Sequence, residues 1–202
     1  MNAPALTTSS RPTWIQTFSG RAFDLLNPEP EAICIEDIAH HLSILTRYTG
    51  ATRRGLSIAQ HCVRVGMLLP PGLRLAGLLH DAAEAYTGDW SSPLKVAMRL
   101  EAPGFLERVE TPIERAIEAR FGLTLSADDR EEIKRADLVM LATERRDLMG
   151  PSPRDLGEWA ASSGRPLYEP AADDRFAVKS PWCATDAELN YLIRFSQWGG
   201  RE

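Results

Sequence analysis

Cysteine is scarce: the 202 residues hold three, Cys34, Cys62 and Cys183, with no C-x-x-C pair. An odd, widely spaced set argues against a disulfide scaffold and a paired-thiolate zinc site, and it suits a reducing cytoplasm. Long apolar runs are missing as well. None reaches the roughly 18 residues that a membrane span requires. Met1 to Arg11 has no positive start and no apolar stretch, so it does not read as a secretory signal. Nor is there an excess of positive charge. Lys and Arg number 23 against 28 Asp and Glu, a net charge of −5. A chain whose work is to coat duplex nucleic acid is usually basic, so no stable nucleic-acid partner is expected. A locally positive pocket for a small phosphorylated ligand remains compatible with that balance. Strand-type alternation is nearly absent, and no repeat recurs at 20 to 50 residues.

What is present is ordinary globular composition, 44% hydrophobic and 25% charged, at a length that fits one domain with an extension. The first thirty residues carry two short segments, Trp14 to Phe18 and Ala22 to Leu25, separated by Ser19-Gly20-Arg21; this reads as a small β-hairpin. From residue 31 onward the reading is helical. Candidate helices cover Glu36 to Thr46, Ile58 to Leu69, Leu73 to Thr87, a short stretch after Pro93, Phe105 to Phe121, a long one from Ser126 to Met149, and a last one to Trp198. Ser57-Ile58-Ala59-Gln60 and Thr185-Asp186-Ala187-Glu188 have the capping-box pattern. Pro112 is expected to kink or break its helix. Residues 150–183 are proline-rich and read as an insertion, with at most Arg154 to Ala161 helical. The expected architecture is an all-α bundle (31–202) preceded by an extension (1–30) with the hairpin.

The chemistry is concentrated in few residues. There are four histidines, His40, His41, His61 and His80. His80-Asp81 lies within an otherwise apolar stretch, where imidazole and carboxylate are costly to bury unless paired or metal-bound. Glu84 follows His80 by four residues and Asp81 by three, which places it on their face. His61 lies three after Ile58 and four before Val65, on the apolar stripe of its own helix. Asp137 interrupts another stripe, with Ile133, Met140 and Leu141 at −4, +3 and +4. Glu144, at +7, reads as a partner for a nearby arginine. Three helices thus each bring nitrogen or oxygen donors to an inward face. Two imidazoles and two carboxylates make a good N,O site for one divalent ion such as Mn, Co, Fe, Ni or Zn. His40 reads as structural.

This pattern, a lone His, then His-Asp, then a distant Asp, all on helices, resembles the HD-domain metal-dependent phosphohydrolases. It is closest to the YfbR-like bacterial 5′-deoxynucleotidase branch. The residues that carry the resemblance are Leu45-Thr46-Arg47-Tyr48, Ser57 to His61, His80 through Asp89, Ser92-Pro93-Leu94-Lys95, and Lys134 to Asp137. A phage-type dATP triphosphohydrolase branch is similar over the same stretch. The resemblance implies an all-α HD-domain bundle with His61, His80, Asp81 and Asp137 as metal ligands. It implies Glu84 and Asp89 as catalytic acid/base groups: Glu84 to position water and Asp89 to donate the proton, with the reverse assignment open. Arg47 and Tyr48 would contact phosphate and sugar or base, with Tyr where the branch keeps Trp, and Lys95 would add charge near a phosphate. Arg53 and Arg54 are further candidates.

The expected function is hydrolysis of deoxynucleoside 5′-monophosphates to nucleoside and phosphate, in a cytoplasmic homodimer or higher homo-oligomer. Two alternatives stand beside it: a deoxynucleoside triphosphohydrolase, and a non-catalytic nucleotide-binding HD module.

Overall fold

The computed structural model describes residues 12–150 and 173–201. Glycine marks several helix ends, Gly88, Gly104 and Gly122 among them. The hairpin forms first: β1 (Trp14–Gln16) pairs antiparallel with β2 (Ala22–Asp24), with Ile15 opposite Phe23. Its turn depends on Gly20 at φ 85°, a left-handed conformation that favours glycine. Phe23 is fully buried and stacks on Tyr86, and the turn adds hydrogen bonds from Ser19 to Asp37, so the hairpin is pinned to the helical core at more than one point.

The helical body comprises α1 (Ile35–Ile44), α2 (Ile58–Leu68), α3 (Arg74–Leu79), α4 (Glu84–Thr87), α5 (Ser92–Glu101), α6 (Phe105–Phe121), α7 (Ala127–Leu148) and α8 (Ala184–Gln197). The all-α reading with a small N-terminal hairpin is what the structure shows. The α2 helix is central and packs on α1, α3, α7 and α8. A main core gathers Ile38, Leu42, Ile58, Leu78, Ile113 and Tyr191 from α1, α2, α3, α6 and α8. A second cluster of Val65, Leu69, Ala76, Ile133, Ala136 and Met140 clamps α2 and α3 against α7. These are the elements that carry the expected metal ligands.

Several local expectations are corrected. The stretch from Leu73 to Thr87 is two short helices, not one. Across the gap the backbone tightens: the amides of Ala82, Glu84, Ala85 and Tyr86 each bond the carbonyl three residues earlier. That is the 3₁₀ pattern, in which residues three apart eclipse, so Asp81 and Glu84 line up more closely than α-helical spacing would place them. The α6 helix runs unbroken through Pro112. Leu106, Val109, Ile113, Ala116 and Ile117 form one buried face spanning the proline, and that packing outweighs the one missing backbone bond. Ser57 does cap α2, accepting from the Gln60 amide. Gln60 does not reciprocate: its Oε1 instead accepts from the Trp182 amide at 2.8 Å. The last helix starts before the Thr185 expected to cap it, with Cys183 at the N-cap. Ser126 forms a full capping box with Asp129. The helix expected over Arg154 to Ala161 lies outside the described residues, as does most of the proline-rich segment; Asp174–Phe176 is a 3₁₀ turn.

Candidate metal centre

Three elements deliver the donors. His61 sits near the start of α2, His80 and Asp81 in the tightened turn after α3, and Asp137 midway along α7. The approach of α2 to α3 is permitted by two glycines. A methyl group on Gly77 would overlap the Leu69 side chain and lie 3.2 Å from the Gly66 Cα. With no side chain at either position, the backbones close up, and the His61 and His80 rings come to 5.3 Å between centroids.

The hydrogen bonds at the far side of each ring determine what the near side offers. His61 Nδ1 lies 2.8 Å from Glu144 Oε1, and His80 Nδ1 lies 2.8 Å from the Gly77 carbonyl. Both partners are acceptors, so each Nδ1 carries the proton and donates. In a neutral ring that leaves Nε2 as a lone pair. Both Nε2 atoms are buried and make no hydrogen bond. Instead they face carboxylate oxygens. His61 Nε2 is 3.2 Å from Asp137 Oδ1 and 3.7 Å from Asp81 Oδ2. His80 Nε2 is 3.1 Å from Asp81 Oδ2 and 3.9 Å from Asp137 Oδ1. Donor atoms of His61, His80 and Asp137 all lie within 4.8 Å of one another. Two ring nitrogens and two carboxylate oxygens converging in a buried space form a group that could hold a cation.

The electrostatics favour a cation there as well. Burial alone would raise the Asp81 carboxyl, but the charge of His80 beside it outweighs that and holds it well below the usual carboxylate range. Asp137 behaves alike: burial is overcome by the close approach of His61 and the charge of Lys134, and the group stays ionised. Burial disfavours charge on His80, yet Asp81 and then Cys62 push its pKa well above an ordinary histidine. A proton or a metal ion can satisfy this, and an N₂O₂ donor set suits a divalent transition ion. Cys62 also approaches His80 and Asp81. Burial, only partly offset by His80, pushes its thiol up to about 11, so it packs as a thiol rather than offering a thiolate.

Glu84 and Asp89 border the cluster. Burial, then the charges of Asp81 and Asp89, push Glu84 well above the normal carboxylate range. Its Oε2 is buried with no hydrogen-bond partner. Asp89 is raised as well, mainly by burial, with Arg47 pulling the other way. Arg47 is itself buried and ion-paired twice, its guanidinium 3.3 Å from Asp81 Oδ2 and 3.1 Å from Glu144 Oε2. Tyr48 turns its hydroxyl onto Glu144 Oε2 at 3.0 Å and lies with its ring 5.4 Å from the Arg47 guanidinium carbon. Lys95 pairs with Glu110 at 2.9 Å, and its charge reaches Glu84 and Asp89.

The structure therefore gathers His61, His80, Asp81 and Asp137 into one cluster, with Glu84, Asp89 and Arg47 around it. Tyr48 joins through Glu144, and Lys95 stands at the margin on α5. Arg53 and Arg54 lie exposed on the loop before α2. His40 is elsewhere, stacked on Phe18 and paired with Glu188, while His41 Nδ1 donates to the Ala85 carbonyl. The residue that sequence reasoning underused is Glu144. It does meet an arginine, but its shorter contact is to His61. Its position seven residues after Asp137, two turns along the same face, was the available signal.

No family model matches the chain. Two curated relatives do. The "Uncharacterized protein YfdR" of Escherichia coli (strain K12) is 39% identical over 136 residues, which cover 67% of this chain and 72% of that protein. The "Uncharacterized protein RCAP_rcc00048" of Rhodobacter capsulatus is 38% identical over 148 residues, 68% of this chain and 74% of the relative. At that identity and coverage, this helical chain with its His/Asp cluster belongs to the family that includes YfdR and RCAP_rcc00048.

Proposed function

We propose that the chain is an HD-domain, metal-dependent phosphohydrolase, and that its reaction is hydrolysis of a nucleotide 5′-phosphomonoester, with deoxynucleoside monophosphates the first substrates to try. The observation that carries the reading is the pair of buried, unbonded Nε2 atoms of His61 and His80 opposed to Asp81 and Asp137. His61, His80, Asp81 and Asp137 would hold one divalent ion. Such an ion lowers the pKa of a bound water and neutralises phosphoryl oxygens.

The rest of the chemistry falls to the chain's own side chains. Glu84, close to Asp81 and with one oxygen free of hydrogen bonds, accepts a hydrogen bond from the attacking water and takes its proton. That role belongs to its ionised form, and the burial and neighbouring carboxylates that raise its pKa make that form a stronger base. Asp89 follows Gly88, which has φ 82° and closes α4. From that turn it holds a proton to pass to the leaving sugar oxygen, and burial favours the protonated form. Arg47 places positive charge beside Asp81, where a phosphoryl group would lie.

The charge count around the cluster favours one phosphoryl group over a longer chain. Among the described residues nearest it, Arg47 is shared between Asp81 and Glu144, Lys95 is held by Glu110, and Lys134 is held by Asp137. A triphosphate would need cations that these pairs already engage. Action as a homodimer in the cytoplasm belongs to the same reading.

The test is phosphate release from deoxy- and ribonucleoside mono-, di- and triphosphates by metal-stripped protein, with Mn, Co, Zn and Mg restored singly. Orthophosphate from deoxymonophosphates, dependent on one transition ion, is the expected result. Triphosphate cleavage instead would move the protein to the triphosphohydrolase chemistry. No release from any nucleotide would remove the nucleotidase reading.

A further inference from the structure

Glu144 has no task in that reaction, yet it is fully buried on α7 and engages three groups. Its Oε1 accepts from His61 Nδ1 at 2.8 Å. Its Oε2 accepts from the Tyr48 hydroxyl at 3.0 Å and lies 3.1 Å from Arg47 Nε. One oxygen thus serves the metal half of the cluster and the other serves the side that faces substrate. We propose that Glu144 is a positioning residue that sets both halves: it keeps His61 in the tautomer whose Nε2 lone pair faces the metal, and it anchors the Arg47–Tyr48 turn beside Asp81. The inference rests on reading the cluster as a metal centre.

Each half has its own physical support. A carboxylate accepting from the remote nitrogen of a histidine fixes both ring orientation and tautomer, and raises the basicity of the opposite nitrogen. Among the described residues, nothing else is shown bonding His61 Nδ1. On the other side, Tyr48 and Thr49 adopt φ of 59° and 51°, a left-handed conformation disfavoured for both residues. Such a backbone persists only where its surroundings over-determine it. Here the backbone of Arg47 bonds Leu56, Arg53 bonds Leu148 of α7, and the Tyr48 side chain ends on Glu144. A carboxylate present only to neutralise Arg47 would need neither the tyrosine nor the histidine.

The experiment uses the full chain. Long-range ¹H–¹⁵N NMR of the metal-free wild type, at a pH where the ring is neutral, reads the His61 tautomer directly. The Nδ1–H form is expected, and an Nε2–H form would overturn the inference without any variant having to fold. Titration with Co(II), followed by visible absorption, then compares Glu144→Gln and Tyr48→Phe. Glu144→Gln is expected to lose about 10- to 100-fold in Co(II) affinity. Tyr48→Phe, which removes only the loop-side hydrogen bond, should stay within about threefold. At saturating Co(II), both should bind inorganic phosphate about two- to tenfold more weakly. Wild-type Co(II) affinity in Glu144→Gln, or undiminished phosphate binding by that variant, refutes the shared role. A wild type that binds Co(II) but hydrolyses no nucleotide refutes only the phosphohydrolase reading. A wild type that does not bind Co(II) removes the metal centre and this inference together.

Discussion

Asp81 and Glu84 sit three residues apart yet are pushed in opposite directions. Asp81 gains a positive neighbour in His80 and stays ionised; Glu84 is buried beside two other carboxylates and resists ionisation. Two predictions belong at this scale. Asp81→Ala removes a donor that faces both histidines, and should abolish Co(II) binding and any metal-dependent turnover together. Equilibrium dialysis against Co(II) checks it. Glu84→Gln should separate stability from activity. In the unfolded chain Glu84 ionises at its ordinary pKa, whereas the folded state raises it, so the folded state binds more protons in between. Stability is therefore lost as pH rises from the ordinary carboxylate range toward the raised value. Replacing the group by a neutral amide removes that loss. The metal-free variant should melt about 2 °C or more above wild type at neutral pH, with a gap that narrows toward pH 4. Turnover should fall by about 10²- to 10⁴-fold. A variant melting at or below wild type at neutral pH would contradict the buried-carboxylate account.

Helix contacts, rather than the donors themselves, decide whether the donors meet. The α2 and α3 helices touch where Gly66 and Gly77 leave no side chain between them, and His61 and His80 lie five residues before and three residues after those glycines. Gly77→Ala inserts a methyl group against Leu69 and Gly66. It should destabilise the chain by about 1–3 kcal/mol in urea unfolding and weaken Co(II) binding, because the two imidazoles are levered apart. Ser57→Ala removes the cap on α2 and should cost about 1 kcal/mol with little change in metal affinity. If both variants lost metal affinity equally, the glycine contact would have no special part in setting the site.

At the level of the whole molecule, the centre joins elements distant in the chain, since α2, the turn after α3 and α7 supply donors numbered 61, 80–81 and 137. An ion held by all three binds the folded chain in a way the unfolded chain cannot match. At a free concentration 100 times its Kd it should add about 2.7 kcal/mol. Differential scanning calorimetry should then show a Tm rise of about 5–10 °C with the native ion, reversed by chelator. A melting point indifferent to every transition ion would show that the cluster holds no metal.

The helical architecture and the identity of the converging donors were legible in the chain itself. Apolar periodicity in α2 and α7 put His61 and Asp137 on inward faces, and a His-Asp pair in an apolar run had to find partners. Local hydrogen-bond chemistry was less legible. The capping side chain of Gln60 was captured by Trp182, a contact 122 residues away. The helix expected over Leu73 to Thr87 tightened into a 3₁₀ turn at the site. Pro112 failed to break α6, because one continuous buried face outweighs one absent bond. The tasks of Glu144, Tyr48 and the two glycines needed the tertiary structure. Periodicity says which face of a helix a residue occupies, but only packing says which residue of another helix stands opposite it. The sequence by itself determined that this protein is a helical bundle with an N, O donor set turned inward. Tertiary packing decided that both imidazoles turn Nε2 toward carboxylates of other elements, because the Glu144 that orients His61 and the Asp137 that faces both rings come from a helix distant in the chain.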